Sequence, residues 1–254
     1  MRILLTNDDG IYAPGLKVLE TIAGQLSDDI WICAPHDEQS GAGHSMSLSL
    51  PVRLRQHGEK RFSVSGSPTD AVIMALRLVL DAPPDLILSG VNRGANLADD
   101  ITYSGTVSAA IEGALAGVRS IALSQVYAKE GIGADVAFAA AEAWGAKAIA
   151  PLLDLPFPDR TLVNINFPPR TPDDVKGIRV VRQGFHDYAR GTVVAGRDPR
   201  GHDYYWFGLN GIEHTPGHDT DLEAMEDGYI AVTPLQLDLT HHASLEALAG
   251  RYAP

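Results

Sequence analysis

The chain has 254 residues, 45% of them hydrophobic, and carries 32 acidic side chains against 20 Lys and Arg, a formal net charge of −12. That length can bury a large α/β core, and the acidic balance excludes general nucleic-acid binding, which needs a basic surface to displace counterions. An anionic substrate is repelled on approach, so a phosphate site here needs local attraction from a metal, a helix N-terminus or a few arginines.

The elements alternate from the start. Residues 3–5 form a short apolar run ending at Asn7-Asp8-Asp9-Gly10, which reads as a buried strand leading into a turn. Leu16, Leu19, Ile22, Ala23 and Leu26 mark one face of a helix over 15–26, followed by a strand at 30–34 that Pro35 stops. The single cysteine, Cys33, lies in that strand; it cannot form an internal disulfide and reads as a small buried hydrophobe. A largely buried helix is predicted over 69–80 with Asp70 in its first turn, then a strand at 86–88, a small-residue helix over 106–116 and a strand at 120–123. An Ala-rich helix over 134–153 and a strand at 162–165, the last clear core strand, complete the regular part.

Such alternation predicts a three-layer α/β/α, Rossmann-like, mostly parallel sheet. After Pro168 the pattern loosens into β-type segments at 178–181, 191–194 and 204–207, a final strand at 228–233 and a short helix at 244–249. We expect one domain over 1–254, with a core at about 1–177 and a β-hairpin-rich C-terminal extension at about 178–254. The N-terminus has too short an apolar run for a signal peptide, and the most apolar stretch, 72–80, is broken by Arg77, so no membrane span and a cytoplasmic location are expected.

Ligands of open α/β sheets bind at the carboxyl ends of the strands. Those ends carry Asp8 and Asp9 after the first strand, residues 37–43 with Ser40 after the second, and residues 89–96 with Asn92 and Asn96 after the strand at 86–88. Carboxylates, hydroxyls and carboxamides are hard oxygen ligands suited to Mg²⁺ or Mn²⁺. Adjacent carboxylates on a regular strand point to opposite faces, so Asp8 and Asp9 reach one ion only if the chain leaves the strand there, which Gly10 permits; the alternative is a plain polar turn. Ser104-Gly105-Thr106 opens a helix and forms either an anion cradle or an ordinary N-cap. The histidines lie mostly in loops without zinc-site spacing; His44, in the second of these loops, is the one candidate for acid–base work. The aromatic run 204–207 suits packing better than base stacking.

The segments ILLTNDDGIYAPG, APHDEQSGAGHSMSL, VSGSPTDAVIMAL and LILSGVNRGANLADDITYSGTVSAAIEGA, with VNINFPP and GYIAVTPLQLDLT later, resemble the survival protein SurE family over nearly the whole chain. The resemblance implies a metal-dependent nucleotidase, a phosphoric monoester hydrolase acting on nucleoside 5'-monophosphates with 3'-monophosphates as a further class. It implies Asp8, Asp9, Ser40 and Asn92 as ligands of one divalent ion per subunit, Mg²⁺ or Mn²⁺, with Asp8 and Asp9 central to catalysis. Asn96, Ser104, Gly105 and Thr106 would surround the substrate phosphate. It also implies a homodimer or homotetramer built through the extension. Ala98 stands where many members have Gly, and His44 where other polar residues are common.

Two rival readings fit the same residues. A haloacid-dehalogenase-type phosphatase would use Asp8 as a covalent nucleophile, but its partner acid would stand at position 10, which is Gly10. A non-catalytic nucleotide-binding module would use the same cradle without turnover.

Overall fold

Ile3, Leu4 and Leu5 are all fully buried, which an alternating strand allows only when both faces of its sheet are covered. In the computed structural model, which describes residues 1–126, 138–186, 191–209, 217 and 219–252, this run is β1 (Arg2–Thr6). It lies between β2 (Asp29–Pro35) and β5 (Leu86–Arg93) and is parallel to both. Ile3 and Leu5 pack on one side with α1 (Pro14–Gly24) and α4 (Ala139–Ile149). Leu4 packs on the other with Cys33, with Ala71 and Val72 of α2 (Pro68–Met74), and with Ala109 of α3 (Gly105–Leu115). Burial pushes the Cys33 thiol up to about 12, so it stays protonated and packs as a hydrophobe.

Beyond β5 the parallel run continues through β6 (Ser120–Gln125) to β7 (Thr161–Phe167), and beyond β2 it reaches β4 (Arg61–Val64). The antiparallel β3 (Leu54–Gly58) closes that edge. At the other end β11 (Ile230–Gln236) pairs antiparallel with β7 and parallel with β8 (Ile178–Val180), giving the order β3-β4-β2-β1-β5-β6-β7-β11-β8. This is the expected three-layer α/β/α arrangement with a mostly parallel sheet.

Three local readings change. The helix predicted over 69–80 ends at Met74 and widens into a π-helical stretch, Ala75–Val79, where Leu80 N–H donates to the Ala75 carbonyl and Leu78 faces solvent. The strand at 162–165 is not the last core strand, because Ile230 and Ala231 of β11 are fully buried beside it. The β3–β4 hairpin was not expected. Of the Ala-rich helix, residues 134–137 lie outside the described residues, and α4 begins at Ala139.

Residues 178–252 therefore divide. β8, α5 (Asp221–Glu226) and β11 return to the main sheet and its covering layer, while β9 (Gly191–Arg197) and β10 (Asp203–Leu209) form a separate antiparallel hairpin. The last helix, α6 (His242–Tyr252), buries none of its residues. Among the described residues no helix is long and apolar enough to cross a membrane.

Candidate active site

β2, β1 and β5 are adjacent and parallel, so their carboxyl ends deliver residues 36–40, 7–10 and 92–96 to one rim. β1 stops where Gly10 turns the chain at φ +100, a conformation that side chains resist, and the buried Asn7 carboxamide donates to the Gly10 carbonyl at 2.9 Å. A Cβ on Gly10 would lie 3.3 Å from the His36 oxygen and the Asp37 carbonyl carbon, so the first two loops pack backbone to backbone. Gln39 N–H donates to the Asp8 carbonyl at 2.8 Å and ties the Ser40 loop to the Asp8 turn.

Asp8 is 4% exposed. Burial drives its carboxyl up to about 6, the Thr106 hydroxyl pulls the other way by donating to Oδ1, and the neighbouring Asp9 adds to the rise. Asp9 is also raised, first by burial, against a 3.4 Å hydrogen bond from Arg93 N–H to Oδ2. Neither carboxylate forms an ion pair with a described residue. Two adjacent carboxylates in a poorly solvated turn, with neutral donors on Asp8 and only the Arg93 charge nearby to offset Glu38 at Asp9, are the arrangement that a divalent cation relieves, so the residues present fit such an ion.

The N-terminus of α3 meets this turn. Ser104 caps the helix, its hydroxyl accepting Val107 N–H at 3.0 Å. Gly105 sits against Asp8 so closely that a Cβ would lie 2.8 Å from Asp8 Cβ and 2.9 Å from Oδ2. Of the two alternatives the N-cap is the one seen, and the capped first turn of α3 is pressed against the Asp8 carboxylate.

The remaining expected residues sit at varied remove. Asn92, half-buried, donates from its carboxamide to the Gly94 carbonyl at 3.1 Å, next to the Arg93 N–H that holds Asp9. Ser40 is exposed and its hydroxyl donates to Glu38 at 2.8 Å. Asn96 is buried, its carboxamide donating to Ser124 at 2.8 Å. His44 pairs with Glu112 at 3.0 Å, two turns along α3, and no contact joins it to Asp8 or Asp9.

Several residues of the rim escaped the sequence reading. Asn164 and Asn166 of β7, both fully buried, bind the backbone of Asn96. Two carboxamides spaced i, i+2 on a buried strand are a readable signal, because buried amides need partners. Asp99, Asp100 and His186 bring ligand atoms within 4.8 Å of one another and form a second group able to hold a cation; His186 Nδ1 lies 2.6 Å from Asp99 Oδ1. His186 had read as one more loop histidine.

The model of the family described as "Survival protein SurE" matches residues 3–190. A relative from Erythrobacter litoralis, named 5'-nucleotidase SurE, is 66% identical over 99% of this chain and 100% of its own. Another of that name from Rhizorhabdus wittichii is 64% identical, with the same coverage of both chains. The crystal structure of the SurE protein from Aquifex aeolicus superposes with a TM-score of 0.83 at 34% identity, over 99% of each chain.

Proposed function

Because the chain belongs to the survival protein SurE family, we propose that it is a metal-dependent 5'-nucleotidase that hydrolyses nucleoside monophosphates to nucleoside and phosphate. The observation that carries this reading is the contact of the α3 N-terminus with Asp8, which puts an anion cradle and a cation-demanding carboxylate side by side. Asp8, Asp9, Ser40 and Asn92 would hold one Mg²⁺ or Mn²⁺, and Asn96, Ser104, Gly105 and Thr106 would orient the phosphate. Once bound, the ion supplies charge neutralisation at the phosphoryl oxygens and a site for the attacking water. The chain's part is to fix these groups before substrate arrives: Thr106 orients Asp8, and Gln39 locks the second loop to the first. Water adds to phosphorus, the ester P–O bond breaks, and the nucleoside oxygen leaves with a proton.

Nucleophilic catalysis by Asp8 with a partner acid at position 10 does not fit. Position 10 is a glycine at φ +100, with backbone 3.3 Å from where a Cβ would be, so the residue present supplies no partner acid and any side chain there would be strained. The His44 ring pairs with Glu112 through Nε2, and no hydrogen bond joins it to Asp8 or Asp9.

The test is phosphate release from a panel of 5'- and 3'-nucleotides, after chelator stripping and after adding back each divalent ion. We expect activity to vanish on stripping and to return with Mn²⁺ or Mg²⁺. Tight nucleotide binding without turnover under every ion would replace this reading with that of a non-catalytic binding module.

The extension supports a homodimer or homotetramer. In the β9–β10 hairpin Val193, Val194, Tyr205, Trp206 and Phe207 are all exposed, Phe207 at 85%, and such patches mark association surfaces. Changing Trp206 and Phe207 to Asp is expected to lower the mass seen by analytical ultracentrifugation to that of the monomer; an unchanged mass would move the interface elsewhere.

A further inference from the structure

The segment between Asn92 and the α3 cradle is held by side chains from distant parts of the chain. Asn96 N–H donates to Asn166 Oδ1 at 3.0 Å, and its carbonyl accepts from Asn164 at 2.8 Å and Asn166 at 2.9 Å. Two residues on, Ala98 sits at φ +51, a left-handed conformation that a residue with a Cβ adopts only when its surroundings impose it. What imposes it is visible. Ala98 N–H donates to Asp221 Oδ2 at 2.9 Å, and its carbonyl accepts from Gln183 at 3.0 Å. Asp221 is fully buried, and its other oxygen accepts Gly184 N–H at 2.8 Å. From Ala98 a 3-10 turn (Ala98–Thr102) leads through Tyr103 to Ser104, the N-cap of α3 that packs on Asp8.

We propose that Asp221 is a positioning residue for the phosphate-binding segment 96–106, so that the C-terminal extension is part of the catalytic architecture as well as an association surface. This rests on the reading above that Asn96 and the α3 cradle bind phosphate. Asp221 and its helix lie outside the 3–190 span of the family match. The carboxylate suits the task because it accepts from two backbone N–H groups at once and offers no hydrogen that could clash with either.

The test is Asp221→Asn, whose carboxamide has the same shape but accepts with one end and presents N–H to the other donor. We expect the KM for the nucleotide and the inhibition constant for inorganic phosphate to rise about tenfold, as for a small misplacement of binding groups, while Mn²⁺ affinity measured by electron paramagnetic resonance stays within about twofold. Gln183→Ala frees the carbonyl side of the same turn, and the same constants should move in the same direction by about threefold. Leu222→Ala serves as a stability control, since Leu222 packs against the apolar cluster and its side chain has no polar atom to hold the Ala98 backbone. Its thermal midpoint should fall while the phosphate constants hold. If Asp221→Asn and Gln183→Ala lower only the midpoint, or if Leu222→Ala shifts KM as far as they do, the positioning role is overturned. Should Asp221→Asn fail to fold, Gln183→Ala against Leu222→Ala decides alone. Failure of the underlying function looks different: the wild-type protein itself would then not be inhibited by inorganic phosphate.

Discussion

Replacing Asp8 with asparagine is expected to reduce phosphate release by about a thousandfold, the scale at which removal of one electrostatic element of a site reads out, and to make the metal-stripped protein more stable at neutral pH. The two effects share a cause. Burial lifts the Asp8 carboxyl from 3.8 to about 6 against the pull of the Thr106 hydroxyl, so the folded chain resists the charge that a cation needs. A carboxyl whose folded pKa lies above its unfolded value contributes stability that is fully present below pH 3.8 and is lost as pH rises through about 6. The metal-stripped wild type therefore gives up stability on the order of 3 kcal/mol across that window, and the asparagine variant, which never ionises, keeps it. Thermal melts of both proteins in chelator at pH 4 and pH 7 report on residue 8 and on its coupling to Asp9, because the other titrating groups are common to the two. We expect a small difference at pH 4 and a clearly higher midpoint for the variant at pH 7. Full activity in the variant would remove Asp8 from the metal centre, and a gap that does not grow with pH would remove the burial argument.

Gly105→Ala is expected to be nearly as damaging, although it adds one methyl group and no charge. That methyl would stand 2.8 Å from Asp8 Cβ, 2.9 Å from Asp8 Oδ2 and 3.1 Å from Pro68 Cγ. None of these is the free end of a flexible side chain: Asp8 is held by Thr106, and Pro68 begins α2. Either Asp8 swings away from the rim or the first turn of α3 lifts off it, and both separate Asp8 from the N-terminus of α3. A displacement of that size costs about a hundredfold in kcat/KM, and overpacking of this kind costs about 1–3 kcal/mol of stability. Steady-state kinetics and denaturant melts on the one variant measure both. Wild-type kinetics with only a stability loss would mean that Asp8 tolerates movement, and the tight seating of Gly105 would then concern packing alone.

Much of this centre was readable from the residues in order. Ile3, Leu4 and Leu5 announce a strand covered on both faces, and Asp8, Asp9 and Gly10 stand where such a strand has to end. Ser104 before Gly105 and Thr106 announces a capped helix. What could not be read is which of these features touch. Thr106 reaches Asp8 across 98 positions, and Asp221 reaches Ala98 across 123. Contacts of that kind depend on strand order, which local periodicity does not encode. The β3–β4 hairpin escaped for a different reason. Arg55, Gln56, His57 and Gly58 are exposed on an edge strand, so the residues carry no burial pattern, and Glu59-Lys60 is not a turn sequence with a strong signature. β11 has a clear strand pattern but no mark of its place, and only the pairing of Val232 with Ile165 shows that it belongs inside the sheet.

The position of β11 has a consequence for how the protein is made. β7 carries Asn164 and Asn166 and borders β11 along residues 161–166, yet the strand that covers it is synthesised some seventy residues later. Until residues 230–236 leave the ribosome, a nascent chain with its six parallel strands in place presents the bare backbone of β7 as an open edge, a template for pairing with another chain. The centre is encoded mainly in the first half of the sequence, but the sheet that supports it is sealed almost last. Chains truncated anywhere between β7 and β11 should therefore collect in aggregates, even though every expected ligand of the ion is already present in them.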